Sequence, residues 1–544
     1  MIKRLFRISI YLITLFVFFF ILKSFTPKQD FALLIKDGFI LDGTGNPWFK
    51  GDIGINGERI AEIGNLSEKR AGKTIDATGL FVSPGFIDVH THCDRGIIEV
   101  PTVDNYIHQG VTTVIGGNCG GHPYPISKLF LELEKNGMSV NFGCLVGHNT
   151  IRREVMGLKM DPPTVAELDR MKTLIRQEME TGTLGFSTGL SYLPGAYSDT
   201  SELVSLVSAI VPFGGIYTSH IRDQGNKITE AIQEAIEVGE KNNIPVLISH
   251  IKLAEDAVWG KPEMITGPVE KARDRGVEIF LDQYPYTATS SGFTSSLPSW
   301  SFAGGRDKFL ERLEDKETYQ KIKSFVIERR LTSTKNIDKL KTIYIGRFRR
   351  FSDFEGKNLQ EILIFQKKEP TIDNAADLII DIEKSGGATG IFFQMDETDV
   401  EYLMELPYTM HASDGGIQVV GRGVPHPRNY GTFPRVIAHY VRDRGVITIE
   451  EAVRKMTSLP AQAFRIRERG MLKKGMYADI TVFDYRSFKD QATFAEPHQY
   501  GQGLRCVIVN GQIVVTNDTH TGNLPGMVVY GPGKKQEVEN DSQD

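Results

Sequence analysis

The sequence predicts an α/β fold: a closed (β/α)8 TIM-type barrel, a small β-sandwich domain built from both ends of the chain, and a helical insert. Three observations predict it. Eight short apolar runs of strand character are mostly separated by stretches with apolar residues at three- and four-residue spacing. The runs end near His92, Cys119, His148, Gly189, His220, His250, Tyr284 and Asp414. Segments punctuated by turns, again strand-like, bracket this alternation at both ends. A parallel barrel built this way collects its chemistry at the carboxyl ends of its strands.

The composition agrees. The chain has 544 residues, 24% charged and 40% hydrophobic, which suits two or three folding units and excludes a mostly disordered chain. Its 63 basic and 68 acidic side chains leave a net charge of −5, without the basic excess of a nucleic-acid binder. Four cysteines and no C-x-x-C pair exclude a disulfide framework.

Residues 1–30 stand apart. Lys3, Arg4 and Arg7 precede an apolar run over 8–22, which Lys23 closes. Such a run reaches about 22 Å as a helix, short of the roughly 30 Å hydrocarbon core. It reads as a signal-peptide core, or as a membrane anchor completed by Leu5, Phe6 and Phe25 while Arg7 and Lys23 snorkel. No small-x-small cleavage site follows, which favours the uncleaved anchor. Its basic flank stays cytoplasmic, so the rest of the chain is expected outside, anchored or exported.

Residues 31–84 alternate as strands, with turn signals at Asp37-Gly38 and Asn56-Gly57, and are expected to share a sheet with 465–530. The barrel takes 85–464, its clearest helices over 166–181 and 228–242. The gap between the seventh and eighth runs exceeds one helix. Its Lys-, Arg- and Glu-rich sequence reads as a mostly helical lobe over about 290–400, with Arg347, Arg349 and Arg350 on a solvated face. The polar tail, 531–544, is expected to be disordered.

The strand ends carry the chemistry. Phe86-Ile87-Asp88-Val89-His90-Thr91-His92 closes on His-x-His; alternate strand residues share a face, so both imidazoles point into the barrel mouth as half a metal site. Cys119 lies among glycines, where nothing bulky packs, and a thiolate beside divalent metal is deprotonated and can bridge two ions. Two runs close on Ser-His, at His220 and His250, thirty residues apart, which is one β–α repeat. The eighth closes on Asp414. Any one of these fits a satisfied core group; six potential ligands at one end of one barrel point to a metal centre. His148 stands where it could line the cavity, and Cys93, Cys144 and Cys506 read as core thiols.

These motifs resemble the N-acyl-D-amino-acid deacylase (D-aminoacylase) family of the amidohydrolase superfamily, from about 31 to 515. The likeness continues through Gly189-Leu190-Ser191-Tyr192-Leu193-Pro194-Gly195, Ser249-His250-Ile251-Lys252 and Asp282-Gln283-Tyr284-Pro285-Tyr286. It ends in Ser413-Asp414-Gly415 and His426-Pro427-Arg428-Asn429-Tyr430. The fourth run lacks the carbamylated lysine of many binuclear relatives, in agreement with Cys119 taking that place.

The resemblance implies zinc held tightly by Cys119, His220 and His250. It implies a second, weaker position on His90, His92 and Asp414, with Cys119 bridging. Asp414 would serve as the catalytic acid–base, and Lys252, Tyr284, Ser290 and Arg428 would hold the α-carboxylate; Tyr192 is expected at the mouth. The implied reaction cleaves the amide of an N-acyl-D-amino acid, a small-molecule substrate, into a carboxylate and a free D-amino acid. Its handedness rests on the resemblance alone. The loop 416–424 departs from the family's usual His-Asp/Glu pair, which leaves acyl and side-chain preference open. The alternatives are a cyclic-amide, lactone or dipeptide hydrolase on the same barrel, or a membrane-tethered binding protein without catalysis.

Overall fold

The structure, a computed structural model, describes residues 29–534. All eight expected runs are strands. They are Phe86–Asp88, Val111–Gly116, Asn141–Cys144 (continued by Val146–Gly147), Gly185–Gly189, Ile216–His220, Val246–Ile248, Ile279–Gln283 and Thr409–His411. Every pairing between neighbours in this series is parallel. The eighth strand closes onto the first through a Thr91–Gly415 bridge and an Asp414 N–H that donates to His90 O at 2.9 Å. Helices cover such strands outside and side chains fill them inside, which explains why they are buried throughout. Ile87, Ile115, Leu145, Leu184, Ile216, Leu247, Phe280 and Met410, each in or beside a different strand, pack into one cluster.

The two clearest helices are Val165–Glu180 and Ile228–Asn242. Thr164 and Glu167 form a capping box at the start of the first. The second buries Ile228, Ala231, Ile232, Ala235 and Ile236, the stripe that its spacing predicts.

Both chain ends enter one nine-stranded sheet. Phe81–Pro84 runs parallel to Phe31–Ile40 and antiparallel to Ile480–Phe483, with Val82 opposite Val482. Phe31–Ile40 also pairs with Phe49–Asn56 and Ala71–Asp76, so the sheet branches around a core of Leu33, Ile35, Ile53, Val82, Ile480 and Ile508. Asn56-Gly57 is the expected hairpin turn, but Asp37-Gly38 is a bulge inside the first strand. Asp37 takes φ 60° there, and its N–H donates to Asp52 Oδ1 at 2.8 Å. A Cβ on Gly38 would stand 2.5 Å from Val82 Cγ2, so the close approach of a neighbouring strand requires the glycine.

The lobe is mostly helical, as expected, and also carries a small sheet that was not expected. Ala288–Gly292, Ile343–Arg347 and Thr389–Phe393 form an antiparallel sheet, packed with helices around Phe293, Phe309, Ile345, Leu363, Ile379 and Phe392. Its first strand leaves the seventh barrel strand directly, which sets Thr289, Ser290 and Ser291 over the barrel mouth. Residues 525–534 run back along the barrel: Phe142 N–H donates to Met527 O at 2.9 Å, and Gly531 N–H to Gly182 O at 2.7 Å. Residues 531–534 of the expected disordered tail are thus held by backbone hydrogen bonds; the others lie outside the described residues, as does the anchor run. No helix among the described residues is long and apolar enough to cross a membrane.

Asp256, on the loop after the sixth strand, clamps the lobe. It accepts from Ser333 Oγ at 2.5 Å and Thr334 Oγ1 at 3.0 Å, with Lys339 Nζ 3.4 Å away. Burial would raise its pKa; the hydroxyl and lysine contacts outweigh this and hold it at about 2. A folded value below the unfolded 3.8 means stability that is present above pH 4 and lost as pH falls toward 2. Asp256→Asn should cost about 1 kcal/mol at neutral pH after allowance for screening. Urea denaturation at pH 7 checks this, and the difference from the unsubstituted protein should shrink at acid pH.

Candidate active site

The sulfur of Cys119 stands at the centre of the barrel mouth. Three imidazole nitrogens face it: His90 Nε2 at 3.3 Å, His250 Nε2 at 3.5 Å and His220 Nδ1 at 3.6 Å. A tetrahedral zinc with ordinary Zn–S and Zn–N bonds sets sulfur and nitrogen about 3.5 Å apart. The spacing fits such an ion. Beside this group, Asp414 Oδ1 lies 3.1 Å from His92 Nε2 and 3.6 Å from His90 Nε2. Two sets have all donor atoms within 4.8 Å of one another: His90, Cys119 and His250, and His90, His92 and Asp414. His220 joins through the sulfur. All six expected ligands therefore converge, with His90 common to both sets.

The local backbone is built for this convergence. Cys119, His250 and Asp414 have φ of 53°, 38° and 49°, a left-handed conformation that costs side-chain-bearing residues on the order of 1–3 kcal/mol each. The flanking Gly117 and Gly120 are required: a Cβ on either would approach Leu145 O or Asn149 Oδ1 to within 2.2 Å. Ser187, on the fourth strand, ties the cysteine loop down, donating to Gly117 O at 2.5 Å and accepting from Gly120 N–H at 3.1 Å.

Charges in the cluster sustain one another. Burial opposes ionisation of Cys119, but His90, His220 and His250 outweigh it and hold the thiol well below its ordinary range. His90 is pushed the other way: burial would lower it, and Asp282 and Cys119 raise it well above the usual imidazole value. Asp414 stays ionised despite burial, chiefly through Arg428, whose Nη1 is 2.9 Å from its Oδ2. A divalent cation replaces the protons that these donors otherwise share.

An open cavity leads to the cluster, lined by His220, His250, Asp414, Tyr192, Lys252, Tyr284 and Ser290. Burial lowers Lys252 to about 7 against the pull of Asp414. Its Nζ donates to Gln224 Oε1 at 3.0 Å and lies 5.2 Å from the centre of the Tyr284 ring. Arg428 lies over the same ring at 4.7 Å and donates from Nη2 to Ser290 O at 3.3 Å. The expected carboxylate-binding residues are thus together. His148 is absent from the lining residues and instead pairs with Glu202 at 2.9 Å. Cys93, Cys144 and Cys506 are buried core thiols.

Sequence reasoning missed the groups that orient the donors. Asp282 Oδ2 is 3.4 Å from His90 Nδ1, which aims Nε2 at Cys119, and its Oδ1 accepts from the backbone N–H of His250 at 2.8 Å. Ser191 Oγ lies 2.7 Å from His220 Nε2. His426 accepts from the Arg428 N–H at 3.0 Å and contacts Ala288 O, which seats the arginine. Asp282 carried a usable signal: it lies on a barrel strand two residues before Tyr284.

Comparison with known proteins agrees with this geometry. The amidohydrolase family profile matches residues 73–294 and 382–515. D-aminoacylase of Alcaligenes xylosoxydans xylosoxydans is 33% identical over 529 residues, covering 93% of this chain and 99% of that protein. A solved D-aminoacylase structure, described for the role of its binuclear metal centre, superimposes with a TM-score of 0.79 at 32% identity, over 92% of this chain and all of that one. N-acyl-D-glutamate deacylase from Bordetella bronchiseptica, solved with zinc and a phosphonate mimic of the tetrahedral intermediate, gives 0.79 at 31% identity, over 93% of this chain and all of that one.

Asp282→Asn keeps the shape and removes the charge behind His90. Loss of such an orienting carboxylate costs about 10–100-fold in metal affinity. Competition with a chromogenic chelator should show a loss of that size with an unchanged circular dichroism spectrum.

Proposed function

The chain belongs to the amidohydrolase family, and we propose that it is a zinc-dependent deacylase that cleaves N-acyl-D-amino acids into a carboxylate and a free D-amino acid. One observation carries the reading: a buried sulfur with imidazoles at 3.3–3.6 Å stands beside an ionised aspartate, at the end of a cavity that holds Lys252. Cys119, His220 and His250 form the tight position, and His90, His92 and Asp414 a second, weaker one. Zinc bound there supplies a Lewis acid and lowers the pKa of water to about 7.

The protein's own groups do the rest. Asp414, kept deprotonated by Arg428, takes the proton of the attacking water and returns it to the departing amine. Lys252 and Arg428, both close to the Tyr284 ring, bind the α-carboxylate, with the hydroxyls of Tyr284 and Ser290 completing the cradle. The Nη1 of Arg428 pairs with Asp414, while its Nε has no hydrogen-bond partner among the described residues. Tyr192 lies against His220, ring centres 4.5 Å apart, and forms the wall beside the scissile bond. The preference for the D configuration is supported by the activities that the matched relatives are named for. The basic flank and apolar run over 8–22 support a membrane tether with the barrel outside the cytoplasm.

Hydrolysis of paired N-acetyl-D- and N-acetyl-L-amino acids, with and without chelator, tests the reading. Turnover should be restricted to the D series and abolished by chelation. Asp414→Asn should lower kcat by about a thousandfold or more while the tight zinc is retained, as metal analysis would show. Arg428→Ala should reduce kcat/KM on acyl amino acids about 10–100-fold beyond its effect on matching neutral amides. Fractionation of cells that express the full chain should recover it with membranes; recovery of the full-length chain in the cytosol would refute the tether.

A further inference from the structure

We infer that Arg330, supplied by the inserted lobe, is a specificity residue that binds a second carboxylate on the substrate, so that the preferred N-acyl-D-amino acids are dianions. This rests on the deacylase reading and narrows its substrate class.

The inference comes from the charge balance of the cavity. Arg222, Arg329, Arg330 and Lys252 all line it together with His220, His250 and Asp414. Arg222 is neutralised by Glu234 at 2.7 Å, and Arg329 by Glu255 at 2.8 Å and Asp223 at 3.2 Å. Arg428, behind the cavity, is matched by Asp414. Lys252 and Arg330 have neutral hydrogen-bond partners only. Lys252 is assigned to the α-carboxylate, which leaves Arg330 as the lining cation with no carboxylate at ion-pair distance.

Arg330 lies on the short helical turn Ile327–Leu331 and is half-buried. Its Nε donates to Ser296 Oγ at 3.0 Å, Nη1 to Gln394 Oε1 at 3.2 Å, and Nη2 to Ser295 Oγ at 3.0 Å and Ser295 O at 3.4 Å. Of five N–H donors, one on Nη1 remains for a ligand. The guanidinium lies 4.7 Å from the centre of the Phe392 ring. Glu255, the acid whose field it feels, is already engaged by Arg329 and Asn226. Burial and the adjacent Arg329 lower the guanidinium to about 9, so it remains cationic at neutral pH.

A purely structural link to Ser295, Ser296 and Gln394 needs no charge, and a half-buried cation in a cavity wall attracts an anion that enters. An entering carboxylate supplies the counter-ion. It meets the remaining N–H of Nη1 in a single charge-assisted hydrogen bond, beside the cavity-lining hydroxyls of Ser291 and Ser295. The cation also comes from outside the stretches that the amidohydrolase profile matches, since residues 295–381 lie between them. The barrel then supplies cleavage, and the lobe supplies selection.

The second carboxylate belongs either to an acidic amino-acid side chain or to a dicarboxylic acyl group, and a substrate panel separates these. The zinc-loaded full chain is assayed on N-acetyl-D-glutamate, N-acetyl-D-aspartate, N-succinyl-D-leucine and N-acetyl-D-leucine. At least one dianion should exceed N-acetyl-D-leucine in kcat/KM by tenfold or more. Preference for the first two identifies the side chain, and preference for the third the acyl group. Arg330→Gln should erase that preference mainly through KM, and Arg330→Lys should restore part of it. Equal or better cleavage of N-acetyl-D-leucine by the unsubstituted enzyme overturns the inference without any variant. So does an Arg330→Gln enzyme that loses the same factor on every substrate. Either result leaves the deacylase reading standing, whereas failure to cleave any of the four removes both.

Discussion

A buried thiolate ringed by imidazoles is the interaction on which the rest of the site depends. Cys119 gathers His90, His220 and His250 to within 3.6 Å of one sulfur, although these residues lie on three different barrel strands or their extensions. Without positive charge at this point, the sulfur would be a neutral thiol in an apolar setting, since burial alone raises its pKa. Without the sulfur, the histidines would be buried bases in search of a partner. The barrel closure serves the same centre: the hydrogen bond that joins the eighth strand to the first runs from Asp414 to His90, both candidate ligands. Closing the fold and assembling the site are one event.

Around this centre the protein divides its work by layer. Strand ends present the donors, three of them in left-handed backbone that only a well-determined surrounding structure maintains. Asp282 and Ser191 fix ring orientations from behind. The polypeptide emerging from the seventh strand rises into the lobe, whose hydroxyl-bearing first strand and Ile327–Leu331 turn form one wall of the approach. The donors thus sit on barrel strand ends, while the lobe contributes one wall of the approach.

Much of this was legible in the sequence, for identifiable reasons. The eight strands were readable because parallel strands buried on both faces leave continuous apolar runs. The six donors were readable because each stands where such a run stops. Other features depended on contacts between distant residues. Asp37-Gly38 carries turn chemistry, yet Asp52 and Val82 convert it into a bulge. The sheet of the lobe was hidden because Ala288–Gly292 reads as a Ser- and Thr-rich loop, while Ile343–Arg347 lies among dense Lys and Arg, which read as a solvated face. Arg330 was hidden by the same composition: in sequence it is one more basic residue, and only the fold places it in the cavity wall. The grouping of donors also needed coordinates, for His90 stands as near the sulfur as the His220 and His250 that family likeness places there. The amino-terminal run remains a matter of sequence, since it lies outside the described residues.

The central claim is that Cys119 is a metal ligand and not a packed thiol. X-ray absorption at the zinc edge of the metal-loaded protein tests it most directly. The geometry calls for one sulfur scatterer at about 2.3 Å, accompanied by nitrogen or oxygen neighbours at about 2.0–2.2 Å. A zinc shell composed of nitrogen and oxygen alone would contradict it, and with it the arrangement of the barrel mouth described above.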